Sequence, residues 1–150
     1  MKFSFIWVGK TRNENLRALQ NDYLQRLSHF VKTSVTELKD GGSERPAEIE
    51  GKRILQTLNQ KSLVVLLDVG GRTVTSHELA VEVKRWQDQG LKEVAFVIGG
   101  FDGVSPKVAE RADIRLSLSI LTFTHEMARV IILEQLYRAY SILNGLPYQK

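Results

Sequence analysis

Two runs of five residues, Leu63-Val64-Val65-Leu66-Leu67 and Val94-Ala95-Phe96-Val97-Ile98, carry no polar side chain, and a glycine pair follows each within three residues. A strand with one face in water alternates apolar and polar residues. A short run that is apolar on both faces is instead covered on both, as in a parallel sheet clothed in helices. The residues between the runs complete the unit. Residues 76–89 read as a helix with Ser76 as its N-cap, Glu78 and Glu82 near its positive end, and Gly90 as its stop. Strand, helix and strand over 63–98 make one crossover, expected to be right-handed.

The rest of the chain repeats this alternation. Residues 2–8 read as a strand, and residues 14–30 place Leu16, Leu19, Tyr23, Leu24, Leu27 and Phe30 at helical spacing. A second strand is expected around Val35, Glu37 and Leu38, followed by a loop at Lys39-Asp40-Gly41-Gly42-Ser43. The helix expected over 44–60 has only a thin stripe of Ile49, Ile54, Leu55 and Leu58, which marks it as a surface element. A helix near 105–112, a strand over 115–119 and a helix over 124–143, ended by Gly145 and Pro147, complete the series. The expected fold is α/β, a doubly wound and mostly parallel sheet. With 150 residues it is expected to form one domain over 1–150.

Composition removes several function classes. The chain has no cysteine, which excludes a disulfide framework, a cysteine zinc site and a thiol nucleophile. That fits a cytoplasmic setting, and no metal is expected. The apolar run from Phe3 to Val8 is too short to span a membrane and lacks a cleavage-site pattern, so no membrane association is expected. The net charge of +4 mildly favours a polyanionic partner. Most basic residues stand beside acids, as in Glu82-Val83-Lys84-Arg85, and read as solvated helix faces.

In open parallel sheets, ligands bind beyond the carboxyl ends of the strands. Three such ends carry unusual residues: Leu67-Asp68-Val69-Gly70-Gly71, Gly99-Gly100-Phe101-Asp102-Gly103, and Ser119-Ile120-Leu121-Thr122-Phe123-Thr124-His125. Each glycine pair alone is an ordinary turn. Three loops at adjacent strand ends make a pocket. None matches a phosphate loop, since none of the three contains Gly-Lys-Ser/Thr or G-x-G-x-x-G, and Asp102 would repel phosphate. Apolar walls from Ile120, Leu121 and Phe123 with backbone groups suit an adenine ring, and a nearby carboxylate suits a sulfonium. The last helix is apolar around much of its circumference, from Met127 to Leu143, which suggests burial on two sides: one against the sheet, the other against a second subunit. Glu134 and Arg138 stand at i, i+4 in the favourable order for an ion pair.

Several ordered segments then point to a known family. Gly99-Gly100-x-Asp102-Gly103, Leu116-Ser117-Leu118-Ser119, Thr122-Phe123-x-His125, Leu133-Glu134-Gln135-Leu136-Tyr137-Arg138-Ala139-Tyr140-Ser141-Ile142 and the terminal Pro147-Tyr148 resemble the RlmH family. These are small SPOUT-class methyltransferases that use S-adenosylmethionine to methylate N3 of a pseudouridine in helix 69 of large-subunit ribosomal RNA. The resemblance spans the chain and is most specific over 96–148. It implies a C-terminal trefoil knot and a homodimer whose RNA sites draw on both subunits. It also implies cofactor binding at Leu67, Gly99 and the run Leu118, Ser119, Ile120, Leu121, Thr122 and Phe123. The substrate would be ribosomal RNA, within the ribosome or its large subunit. The chain departs from the family pattern at Phe101, usually proline, at Asp102, usually glutamate, and at Thr124, usually proline. Its tail, Leu146-Pro147-Tyr148-Gln149-Lys150, lacks two histidines usual there.

Methyl transfer to a nitrogen needs alignment of the reactants and an outlet for the proton, and no metal. His125, beside the proposed cofactor loop, is the titratable candidate for that outlet; capping of the last helix is an equal alternative. Asp102 either contacts the sulfonium side or fixes its own turn. Arg129 is a candidate for RNA phosphate, and Tyr148 for stacking on a base or pinning the tail over the site. His29 and His77 fall on expected helices away from the strand ends and read as structural. Two other functions stay open: an RNA-binding protein of the same fold with weakened catalysis, and an α/β enzyme for a nucleotide or small acidic ligand.

Overall fold

The computed structural model of the chain describes residues 1–148 and alternates strand and helix throughout. The elements are β1 (Lys2–Val8), α1 (Glu14–Leu27), β2 (Lys32–Leu38), α2 (Pro46–Thr57), β3 (Leu63–Thr73), α3 (Ser76–Asp88), β4 (Glu93–Ile98), α4 (Pro106–Arg111), β5 (Ile114–Ser117) and α5 (His125–Leu143). The strands form one sheet in the order β2-β1-β4-β3-β5, and every pairing between them is parallel. Gln149 and Lys150 of the tail lie outside the described residues.

The two faces of the sheet follow from the two-residue period of a strand. Phe3, Phe5 and Trp7 of β1 point to one face with Val65, Phe96 and Ile98, where α1, α3 and α5 supply Leu27, Val83, Trp86, Ile132, Leu133 and Leu136. Ile6 and Val8 point to the other face with Val64, Leu66, Ala95 and Val97, covered by Ile54 and Leu58 at α2 and Val108 of α4. The central runs of β3 and β4 are therefore apolar on both faces because both faces are covered. The first face is held by aromatic contacts: Phe96 lies 5.3 Å from both Phe3 and Phe5, edge-on to one and stacked on the other. Each such pair contributes about 1 kcal/mol beyond its buried area.

Among the boundaries that differ from expectation, four have a clear local reason. The α3 N-cap is Thr75 rather than Ser76: its hydroxyl accepts from Glu78 N–H while the Glu78 carboxylate accepts from Thr75 N–H. Ser76 instead donates to Gln135 Oε1 on α5. β3 does not stop at Leu67 but bulges and resumes through Thr73, so the Gly70-Gly71 pair lies within a strand. β5 ends at Ser117, where serine side chains take over the backbone: Ser117 Oγ donates to Ser119 O, and Ser119 Oγ accepts from Leu121 N–H. α2 starts at Pro46, after Arg45 in the left-handed region at φ 46°.

α5 also corrects an expectation. Its second apolar side packs within the chain, because α1 and α3 flank it on the sheet face. Its breadth of burial therefore needs no second subunit. The Glu134–Arg138 ion pair forms as expected, at 2.6 Å.

Candidate active site

The carboxyl ends of β3, β4 and β5 meet at a cavity of about 950 Å³. The β3 end is shaped by Asp68. One of its oxygens accepts from Gly70 N–H at 3.0 Å, and the other accepts from Arg115 Nε at 2.9 Å. Arg115, then Gly70, holds the Asp68 carboxyl below the usual carboxylate range. Gly71 permits the bulge, since a Cβ there would lie 2.6 Å from the Arg115 backbone. Arg115 is the only lysine or arginine among the described lining residues, and its charge is already matched by Asp68.

The β4 end is a tight turn in which Gly103 N–H donates to Gly100 O at 3.0 Å. Gly103 sits at φ 79°, where a side chain would be strained. Gly99 is required by the loop itself: a Cβ there would meet Val104 Cγ1 at 2.7 Å and Gly103 O at 2.9 Å. The β5 end leads into α5, whose N-cap Thr124 accepts from Met127 N–H at 3.2 Å. The cap sets His125 as the first residue of α5, on the cavity wall.

Most of the expected cofactor residues meet here. Leu67, Gly99, Leu118, Ser119, Leu121, Thr122 and Phe123 line the cavity, as do Asp102 and His125. Ile120 does not; it points away and is 88% exposed. Asp102 is exposed, and its carboxylate makes no hydrogen bond to another described residue. His125 is partly buried. Burial first, and the neighbouring Arg129 second, lower its pKa below the ordinary imidazole value, with Glu126 and Glu50 opposing.

Two expected substrate residues lie elsewhere. Arg129 is not open to RNA phosphate in this fold: it is 0% exposed, donating to Val8 O at 2.6 Å and Thr11 Oγ1 at 2.9 Å. Its guanidinium lies 4.9 Å from the centre of the Trp7 ring. Burial lowers its pKa to about 10, with Glu126 and Glu37 opposing. The residue ties the first turns of α5 to the end of β1. Tyr148 does not reach this cavity either. It packs edge-on to Tyr137 at 4.7 Å, donates to Glu134 Oε1 at 2.9 Å, and accepts a hydrogen bond from the Tyr23 hydroxyl at 3.1 Å. Burial, then Tyr23 and Glu134, raises its pKa well above the usual phenol range. His29 follows α1 in a turn and His77 lies on α3; both are exposed and outside the cavity.

Sequence reading missed two groups at this site. Arg115 looks like one more surface cation until the bulge in β3 brings Asp68 to it. Glu50 reads as solvated, yet it is buried beneath the glycine turn.

The family model described as "Predicted SPOUT methyltransferase" matches residues 1–149. The chain is 40% identical over 159 aligned positions to the "Ribosomal RNA large subunit methyltransferase H" of Halothermothrix orenii, and 39% identical over 153 to that of Desulfotalea psychrophila. Both alignments cover 100% of each chain. Among solved structures, a "probable methylase family protein" from Haemophilus influenzae Rd KW20 superposes with a TM-score of 0.58 at 11% identity, over 99% of this chain and 70% of the other, which shows the shared fold. The parallel α/β sheet, the pocket at its carboxyl edge and full-length similarity to these enzymes agree: the chain belongs to the SPOUT methyltransferase family, with the RlmH-type ribosomal RNA methyltransferases as its relatives.

Proposed function

We propose that this protein methylates ribosomal RNA of the large subunit, at N3 of a pseudouridine in helix 69, with S-adenosylmethionine as methyl donor. The observation that carries the reading is the single cavity formed by the ends of β3, β4 and β5. Its contents fit the donor. Leu67, Leu118, Leu121 and Phe123 offer apolar walls for an adenine ring, Asp102 offers negative charge, and the one lining arginine is neutralised by Asp68. The size is at the upper end of ordinary ligand pockets, which run from about 300 to about 1,000 Å³. A C-terminal trefoil knot accords with three loops closing on one another at this edge.

The donor supplies a methyl group activated by its sulfonium. The chain's own residues hold the reactants in line and exclude water. His125, with its pKa lowered, is neutral at pH 7 and so able to accept the proton that the target nitrogen releases. The active form is a homodimer acting in the cytoplasm on the ribosome or its large subunit. Two features support the dimer. Phe101 and Ile120, on the loops that follow β4 and β5, are 94% and 88% exposed, large apolar side chains that a second chain would cover. Tyr148 docks at Tyr137, about 18 Å along α5 from His125 at about 1.5 Å per residue, so the tail serves another chain's cavity better than its own.

Calorimetry with S-adenosylmethionine, followed by methyl transfer from labelled donor to ribosomes lacking the modification, tests the reading. Donor binding and labelling at the one nucleotide are expected. No binding of donor or its demethylated product would refute the reading; binding without labelling would indicate the catalytically weakened RNA-binding form.

A further inference from the structure

Glu50 is the only buried carboxylate among the described residues, at 5% exposure, and the reaction above makes no use of it. It stands one helical turn before Ile54, on the face of α2 that turns inward. A carboxylate in such a place is costly unless its oxygens find partners. One does: Oε2 accepts from Gly41 N–H at 2.9 Å. Oε1 is shut off from solvent and has no hydrogen-bond partner among the described residues.

Small residues bring this oxygen where it is. Gly51 lets α2 close on the start of α4, since a Cβ there would lie 2.2 Å from Ser105 Oγ. Gly100 leaves the space that Oε1 fills, since a Cβ there would lie 2.7 Å from it. Gly100 also lines the cavity, and Glu50 does not. The unpartnered oxygen is thus separated from the ligand space by the backbone of one glycine. Its field reaches His125, on the cavity wall.

We propose that Glu50 is a positioning and charge-specificity residue of the donor site. It seats the Gly99–Gly103 turn through Gly100, and its fixed negative charge behind that turn makes the cavity favour the cationic donor over the neutral product. The proposal rests on the reading of this cavity as the S-adenosylmethionine site. Donor and product differ by one methyl group and one positive charge. A charge behind the wall separates them without touching either, because Coulomb interaction persists over several ångströms where water is excluded. Discrimination against the product also aids its release.

The test is calorimetric titration of the full-length protein with S-adenosylmethionine and with S-adenosylhomocysteine, in wild type and in Glu50→Gln. The amide keeps the shape and removes the charge. The preference for donor over product is expected to fall about tenfold, the size of effect that one charge exerts at this range through protein. Equal loss of affinity for both ligands, or no change in either, would overturn the proposal, since a residue that only shapes the turn would not alter the ratio. If Glu50→Gln does not fold, Glu50→Asp withdraws the charge by one methylene, and the same ratio is expected to shrink; an unchanged ratio overturns the proposal. Failure of the wild type to bind either ligand would instead be failure of the pocket reading, seen before any variant is made.

Discussion

Replacing Arg129 separates the worth of its charge from the worth of its bulk. Burial lowers its pKa from the ordinary guanidinium value to about 10. At about 1.4 kcal/mol per pH unit, that amounts to about 3 kcal/mol against the charged form in the fold. Against this stand two hydrogen bonds from the guanidinium, to Val8 O and Thr11 Oγ1. Bonds to a charged group contribute about 1.5 kcal/mol or more each, so the two nearly cancel the cost of the charge. Arg129→Met removes both sides, keeps most of the bulk, and puts a thioether against Trp7. What remains is an unpaired Val8 carbonyl, for a net destabilisation of about 1 kcal/mol. Thr11 keeps a partner, since its hydroxyl donates to Gln20 Oε1 at 2.6 Å. Arg129→Ala also empties the volume of a fully buried side chain, which adds about 2 kcal/mol or more. Urea unfolding at fixed protein concentration, followed by the fluorescence of buried Trp7 and Trp86, measures both. The expected order is wild type, then Met close behind, then Ala lower by about 3 kcal/mol. A Met variant as unstable as the Ala variant would refute the cancellation, because the charge and its hydrogen bonds would then be net stabilising.

Three further outcomes follow from local geometry. Thr75→Ala breaks the reciprocal cap of α3 and is expected to cost about 1 kcal/mol in the same unfolding assay, while Ser76→Ala costs less because Ser76 is not the cap. His125 is expected to titrate below about 6.5 by NMR. Its lowered pKa in the fold means that the unfolded chain takes up the proton first, so stability falls as pH drops below the unfolded value; a midpoint at or above 6.5 contradicts the burial argument. Gly99→Ala places a methyl group against Val104 and the Gly103 carbonyl rather than in the cavity. It is expected to weaken donor binding by displacing the turn, with the far-UV circular dichroism unchanged; undiminished affinity would show that the turn does not shape the site.

The elements were legible in the sequence wherever apolar period and end signals agreed. The runs at 63–67 and 94–98 appear as β3 and β4 because their side chains meet helices on both faces. The glycine loops were legible as a group, although Gly70 and Gly71 proved to be part of a bulged strand. Nothing in Leu67-Asp68-Val69-Gly70-Gly71 announces a bulge; it depends on Arg115, 47 residues away, reaching Asp68. The breadth of α5 was legible as burial on two sides, but which element supplies the second side is a question of topology, answered by α1 and α3.

Glu50 and Arg129 escaped for one shared reason. Pattern reading assigns a charged residue to solvent, yet each stands on an inward helix face, one turn before a fully buried apolar neighbour, Ile54 or Leu133. Both are also tied to chain segments far away in sequence, Glu50 to Gly41 and Gly100, and Arg129 to Val8 and Thr11. A charge placed where local pattern calls for an apolar residue costs stability unless the surrounding fold meets it, so such positions mark where the fold is held by function or by long-range design. Each leaves one buried polar atom without a partner among the described residues, Nε of Arg129 and Oε1 of Glu50, and the two differ in how their outermost atoms are met. Both terminal nitrogens of Arg129 find acceptors, Thr11 Oγ1 and Val8 O, which is what a strut requires. Glu50 leaves one oxygen unmatched beside the wall of the cavity, which is what a site awaiting a cation requires.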